Sequence, residues 1–311
     1  MANKLFNMKK TLTIDKTKWI CWQTPEQDDI EKLSKQYNFH EMIKENMLDI
    51  NAESKFSTID DNFFMALAFT KYLKSKSKYV FNELDIVIWK DYIITTTWLF
   101  SEKLDMVFNQ MSHESKDIKN SYKSSPYFIL YKIIDVFYDK TLNSLDKSAK
   151  KLLNMELNIW KNERDFVSEL ISEDLNKIFV KHNFISQEDV IDELIEHLNV
   201  IHEKRLIIYF NNLRQKLTKI IRTIESLEEK NDSLISAYNT YLSIKSNKSI
   251  TRLTFINSTF LPLTILVGML GMSERTMMTG PENWTIAYSL FIVLCVVIGL
   301  ITNLILKKIF S

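Results

Sequence analysis

The sequence predicts an α+β domain followed by a long helix and two apolar helices toward its C-terminal end. Three observations predict it. Only four glycines occur in 311 residues, where average usage would give roughly 22. All four, Gly268, Gly271, Gly280 and Gly299, lie beyond Pro262. Neither glycine nor proline occurs between Pro126 and Pro262, so few helix breakers interrupt that stretch. Finally, Leu253–Met272 and Trp284–Leu306 each run from end to end without a charge.

The glycine distribution also excludes functions. A P-loop, a dinucleotide fingerprint or a kinase-type phosphate loop needs glycine at fixed places for tight turns and close backbone approach. None can exist upstream of Gly268, and glycine-dependent hairpin turns are not expected there either. Forty Lys and Arg against 39 Asp and Glu leave a net charge of +1, which gives no reason to expect nucleic acid as a partner. Cys21 and Cys295 stand too far apart for a Cys-based zinc motif or a disulfide framework. MANKLFNMKKTLTIDK has no apolar core, so no secretory signal is expected. Of the five histidines, His40, His113, His182, His197 and His202, no two make a His-x3-His pair, and surface positions are expected for them. No nucleophile–His–acid arrangement is visible. The expectation is a protein that is not an enzyme and carries no cofactor.

Residues 1–124 read as an α/β domain. Trp19–Trp22 is a strand candidate, and Thr24-Pro25-Glu26 has the form of an N-cap with proline at N1, opening a helix toward Tyr37. Phe63–Phe69 and Leu84–Trp89 are apolar, β-rich runs. Tyr92–Trp98 follows after only Lys90-Asp91, which predicts a hairpin. Residues 125–252 read as helical, with apolar spacing of about 3.6 in Tyr127–Leu153 and Asp189–Ile208. Leu206, Phe210, Leu213, Leu217, Ile220, Ile224 and Leu227 recur at steps of four and three, and Leu234, Tyr238 and Tyr241 continue the row beyond Asn231. Such a seam serves either a coiled coil or a helix packed on its own domain. A single helix is expected from about residue 190 to Gly271, roughly 80 residues and about 120 Å at 1.5 Å per residue.

At that rise, residues 253–272 and 284–306 are each long enough to cross a hydrocarbon core of about 30 Å. A loop, 273–283, separates them, and a basic tail, 307–311, follows. Lys245, Lys248 and Arg252 precede the first run and Lys307 and Lys308 end the second, whereas the loop holds Arg275 alone of that type. The bias predicts a cytoplasmic (inner) membrane protein with an outward loop and both termini in the cytoplasm.

The first run carries a polar stripe. Asn257, Leu261, Thr264, Gly268 and Gly271 recur at steps of four and three, and Asn247, Ile250 and Leu253 or Thr254 extend the row upstream. Small and polar residues in such a row either let membrane helices pack closely or line an aqueous path. The succession Phe260-Leu261-Pro262-Leu263-Thr264, then Gly268, then Gly271-Met272-Ser273 resembles the CorA superfamily of divalent-cation channels. That family closes its first span with Gly-Met-Asn after a Pro-x-Thr segment and an intervening glycine. Here Ser273 stands in place of the asparagine, and only Pro281-Glu282 before Trp284 loosely keeps the loop pattern.

The resemblance implies a funnel-shaped homopentamer in a lipid bilayer, with the first span lining a pore for Mg2+ and possibly Co2+ or Ni2+. Gly271, Met272 and Ser273 would form the outer mouth, with Ser273 meeting the hydrated ion. Gly268, Thr264, Leu261, Asn257, Leu253, Ile250 and Asn247 would follow inward. It also raises two alternatives, an anchored structural or signalling protein with lost or changed conduction, and a zinc transporter of the related branch. Asp105, Asp189, Asp192 and Glu193 are acidic candidates for sensing the ion, and Asn211-Asn212 stands where the family can carry a sensing aspartate.

Overall fold

The computed structural model describes residues 7–49, 54–59, 62–73, 78–114, 122–157, 163–271 and 284–309. They form two compact units, Met1–Ile235 and Ser236–Ser311.

The first unit is built on a six-stranded sheet of β1 (Met8–Ile14), β2 (Thr17–Gln23), β3 (Lys55–Ile59), β4 (Asn62–Leu73), β5 (Lys78–Trp89) and β6 (Tyr92–Thr97). The order across the sheet is β1-β2-β6-β5-β4-β3. β2 and β6 pair in parallel, Trp19 opposite Ile93, and the other neighbours are antiparallel. Alternation sends successive side chains to opposite faces. One face gives Ile20, Phe64, Val87 and Ile94 to a core completed by α1 (Gln27–Tyr37) and α2 (Glu41–Leu48). The other face meets α3 (Glu102–Glu114), α4 (Pro126–Leu157) and α5 (Glu163–Val200). There the Trp19 and Phe108 ring centroids lie 5.0 Å apart, and Phe69 lies 4.5 Å from Phe137 and 6.2 Å from Phe184.

Turns that glycine usually makes are present without it. Asp15, Thr24, Asn38, Lys90 and His202 take φ between 52° and 61°, the left-handed region. Each side chain there costs of order 1–2 kcal/mol relative to right-handed backbone. Lys90 closes the expected β5–β6 hairpin. Thr24 decides where α1 begins. Its amide still donates to Thr97 O at 2.7 Å, so the chain leaves the sheet before it can turn into a helix. The N-cap is therefore Glu26, paired with Asp29 in a capping box, and not Thr24 with proline at N1.

The expected single helix from residue 190 is interrupted. α5 ends at Val200, His202 turns left-handed, and α6 begins at Lys204 and runs 68 residues to Gly271. Glu203 N–H reaches back to Leu198 O at 3.0 Å, closing α5 as a glycine would. α5 and α6 then run antiparallel, with Lys181 on Glu228 at 2.7 Å and Arg214 on Asp192 at 3.0 Å. On α4, Asp135 and Asp139 hold the Lys216 ammonium at 2.5 and 2.7 Å. Burial opposes that charge, yet hydrogen bonds to the two carboxylates outweigh it and raise the pKa of Lys216. The seam residues from Leu206 to Leu234, Asn231 included, are at most 5% exposed within the single chain. The seam's first half is thus filled by the chain's own helices.

The second unit holds the rest of α6 and α7 (Trp284–Ile309). Both apolar runs are helical where described. Among the described residues no helix is long and apolar enough to cross a membrane. Side chains at several positions of each run, Leu266 and Phe291 among them, lie outside that set.

Candidate ion pathway

The sequence-predicted stripe lies on one continuous helix. At 100° per residue, Asn247, Ile250, Leu253, Asn257, Leu261, Thr264, Gly268 and Gly271 fall within an arc of about 120° around the axis of α6. α6 continues through Pro262, which has no N–H to return to Ser258 O, so that one rung of the helix is missing. Gly271 is its last residue, and Met272 and Ser273 lie outside the described residues, as does the loop to 283.

The chain leaves this row uncovered. Ile250, Leu253 and Leu261 are 56%, 60% and 64% exposed, and Asn247, Asn257, Thr264 and Gly268 are exposed too. A Cβ added at Gly268 would meet nothing within 4 Å. The single chain therefore gives no steric reason for glycine there.

The chemistry of the row is neutral oxygen alternating with hydrocarbon. Thr264 Oγ1 donates to Phe260 O at 2.9 Å, which satisfies its hydrogen and leaves its lone pairs facing out. The Asn247 and Asn257 carboxamides offer further oxygens, separated from Thr264 and from each other by Ile250, Leu253 and Leu261. No Asp, Glu, Lys, Arg or His occurs in residues 253–272 or 284–306. Positive charge enters just before them, at the exposed Lys245, Lys248 and Arg252. Among the described residues, no group of three or more His, Cys, Asp or Glu could hold a metal ion.

The acidic sensing candidates are scattered or engaged. Asp105 is paired with Lys10 and accepts from Asn109 at 3.3 Å. Asp192 is bridged to Arg214 at 3.0 Å, while Asp189, Glu193, Asn211 and Asn212 are exposed on α5 and α6. Two histidines are more than surface residues. His40 caps α2, its ring nitrogen accepting from Met42 N–H at 3.2 Å. His197 sits against Phe56 and Phe63 with Nε2 2.9 Å from Tyr127 Oη, and burial lowers its pKa. Sequence reasoning also passed over Glu83 and Asp85, both buried in β5; charges alternating within an apolar strand were the available signal.

The described architecture has known counterparts. A family model described as "CorA-like Mg2+ transporter protein" matches residues 15–308. The chain is 22% identical over 284 residues to the cobalt/magnesium transport protein CorA of Thermotoga maritima, covering 90% of this chain and 79% of that protein. The complete structure of the CorA magnesium transporter from Methanocaldococcus jannaschii superposes with a TM-score of 0.81 at 17% identity, over 93% of this chain and 90% of that one. Full-length CmaX gives a TM-score of 0.73 at 13% identity, over 95% and 89% of the two chains.

Proposed function

Because the chain belongs to the CorA-like Mg2+ transporter family, we propose that it conducts divalent cations, Mg2+ first and Co2+ or Ni2+ with it, across the cytoplasmic membrane. In this reading 253–272 and 284–306 are the two spans, both termini are cytoplasmic, and five copies place the α6 stripe around a common pore. One observation carries the reading. A helix whose first half is buried by its own chain leaves a regular row of neutral oxygens, hydrocarbon and glycine uncovered in its second half.

Symmetry would convert each position of that row into a ring. Mg2+ dehydrates reluctantly and keeps its waters. Rings of carboxamide and hydroxyl oxygen from Asn257 and Thr264 can hydrogen-bond a hydrated ion without stripping it, while rings of Leu253 and Leu261 supply apolar constrictions. The membrane potential is sufficient driving force. A divalent ion moving down about 100 mV gains about 4.6 kcal/mol, at roughly 2.3 per charge. The two runs hold no Asp, Glu, Lys, Arg or His that could serve a proton relay.

Ser273 favours a second reading, in which conduction is lost or its selectivity changed. A hydroxyl is shorter than the carboxamide of the family pattern, so a ring of Ser273 leaves a wider mouth and a looser grip on the hydration shell. Flux of Mg2+, Co2+, Ni2+ and Zn2+ into vesicles holding the full chain, under an imposed potential, tests both. Mg2+ entry that Co2+ competes is the expected result, and Ser273→Asn alters the competition profile. No flux of any of the four defeats the channel, and identical profiles for the two chains defeat the role given to Ser273.

A further inference from the structure

A groove of about 520 Å3 opens between α3 and α4 in the first unit, and the ion pathway does not use it. Met106 and Val107 of α3 and Val136 of α4 give it an apolar lining. Asn109, Gln110 and Asn143 add carboxamides, and Asp139 and Lys140 of α4 bring the charges. Asp139 is already engaged. It holds the Lys216 ammonium of α6 at 2.7 Å, which neutralises its charge within the lining. Lys140 is exposed.

Lys103 stands one turn before Met106 and Val107 on α3, at the spacing that puts all three on one side of the helix. It is half-buried, with its ammonium 5.3 Å from the centroid of the Phe137 ring on α4. Burial first, and the charge of Lys140 second, lower the Lys103 pKa to about 8. Acids on the same two helices serve other groups. Asp105 is paired with Lys10, Asp135 and Asp139 hold Lys216, and Glu114 accepts from Gln110 at 2.8 Å. Two ammonium groups that feel each other, one of them drawn half out of water, are each costly to keep charged. A doubly charged anion between them removes both costs.

We propose that this groove binds a small soluble phosphate monoester, with the dianion held between Lys103 and Lys140 and the organic part against Met106, Val107 and Val136. A monoester carries close to two negative charges at neutral pH, because its second pKa is about 6. Its three terminal oxygens can accept from both ammonium groups and from the amide N–H groups of Asn109, Gln110 and Asn143. The volume falls within the roughly 300–1,000 Å3 of small-molecule sites, which is more than a bare phosphate fills, so an organic part is expected. A lipid phosphodiester carries one charge and leaves one of the two ammonium groups unmatched. Because Asp139 joins the lining to Lys216, the ligand sits against the link between α4 and α6.

Titration calorimetry of the full chain in detergent, at neutral pH and fixed ionic strength, tests this with phenyl phosphate, inorganic phosphate and micellar phosphatidylglycerol as probes. Phenyl phosphate should bind, and more tightly than inorganic phosphate, which lacks the apolar part. Lys103→Gln and Lys140→Gln should each weaken it by about tenfold or more, the loss of one charge-assisted contact. Lys132→Gln removes a lysine of α4 that lies over the Phe128 ring, outside the groove, and should leave the affinity unchanged. The proposal is overturned by no binding, by affinity retained in both groove variants, by equal weakening in Lys132→Gln, or by phosphatidylglycerol binding as tightly as phenyl phosphate. Hydrogen exchange of the unsubstituted chain is independent of whether the variants fold. Phenyl phosphate should protect residues 102–114 and 136–147, and protection confined to other segments overturns the site.

Discussion

α6 is two different helices in one. From Leu206 to Leu234 its apolar row is buried against the chain's own helices, with Leu213, Leu217, Ile220 and Ile224 at 0% exposure. From Leu242 to Val267 the same kind of side chain is exposed, and no residue between 242 and 268 with a described side chain is buried. The apolar row continues along the way, while the charged residues around it fall away beyond Arg252 and the chain stops supplying neighbours. An apolar surface of that length left to water would cost about 25 cal/mol for each Å². In the function proposed above, the second half finds that cover in lipid or in other copies, and it is the half that carries the proposed pathway. A seam shows how much apolar surface must be covered but does not show which chain covers it.

The sharpest way to break this contrast is to cut one side chain from each half. Phe210→Ala removes a fully buried ring and should cost about 3–5 kcal/mol in chemical denaturation of the full chain. Leu261→Ala removes a side chain that is 64% exposed and should change the same midpoint by less than about 0.5 kcal/mol. Its effect is expected in Mg2+ flux, where a ring of Leu261 would be lost. Equal destabilisation by the two variants would mean that the second half is already covered within the chain.

A smaller effect belongs to the junction that precedes the buried half. His197 lies in the last turn of α5, hydrogen-bonded to Tyr127 and flanked by Phe56 and Phe63. Burial depresses its pKa, so the folded form prefers neutral imidazole. The unfolded chain takes up the proton first as pH falls through about 6.5. Stability from this site is fully present above that value and is lost as pH falls toward the depressed folded value, by at most about tenfold in the unfolding constant per pH unit. His197→Gln should remove that acid-side slope in a pH series of denaturation curves.

Much of the first unit was legible because its chemistry is local. Phe63–Phe69, Leu84–Trp89 and the Lys90-Asp91 hairpin announce themselves by β-rich, apolar runs, and Tyr127–Leu153 by helical spacing. Other elements were not. β1 reads MKKTLTI, a strand exposed or half-exposed at every position before Ile14, and it has too little apolar alternation to stand out. The break at His202 was hidden because the chain uses non-glycine residues in the left-handed region, so the usual stop signal is missing. The family was legible in the residues between Pro262 and Ser273, and the match to residues 15–308 agrees with it. What periodicity could not decide was which half of the seam the chain fills itself, since burial depends on helices that arrive from far upstream in the sequence.

The finest test sits at Gly268, where the single chain and the proposed assembly make opposite demands. Nothing lies within 4 Å of a Cβ built there, so within one chain Gly268→Ala is free of steric cost. Alanine is also the better helix former, by about 1 kcal/mol. A lone copy should therefore gain up to that amount, read as a higher denaturation midpoint in dissociating detergent. If Gly268 lines a pore or allows α6 to approach another copy closely, the same methyl is repeated around the ring and lowers Mg2+ flux in vesicles. A stabilised chain with reduced flux is the expected combination, because it separates what α6 needs as a helix from what its uncovered face needs from neighbours. Unchanged flux would move the pathway off this face, since a ring of added methyls cannot be silent where the helices line the passage.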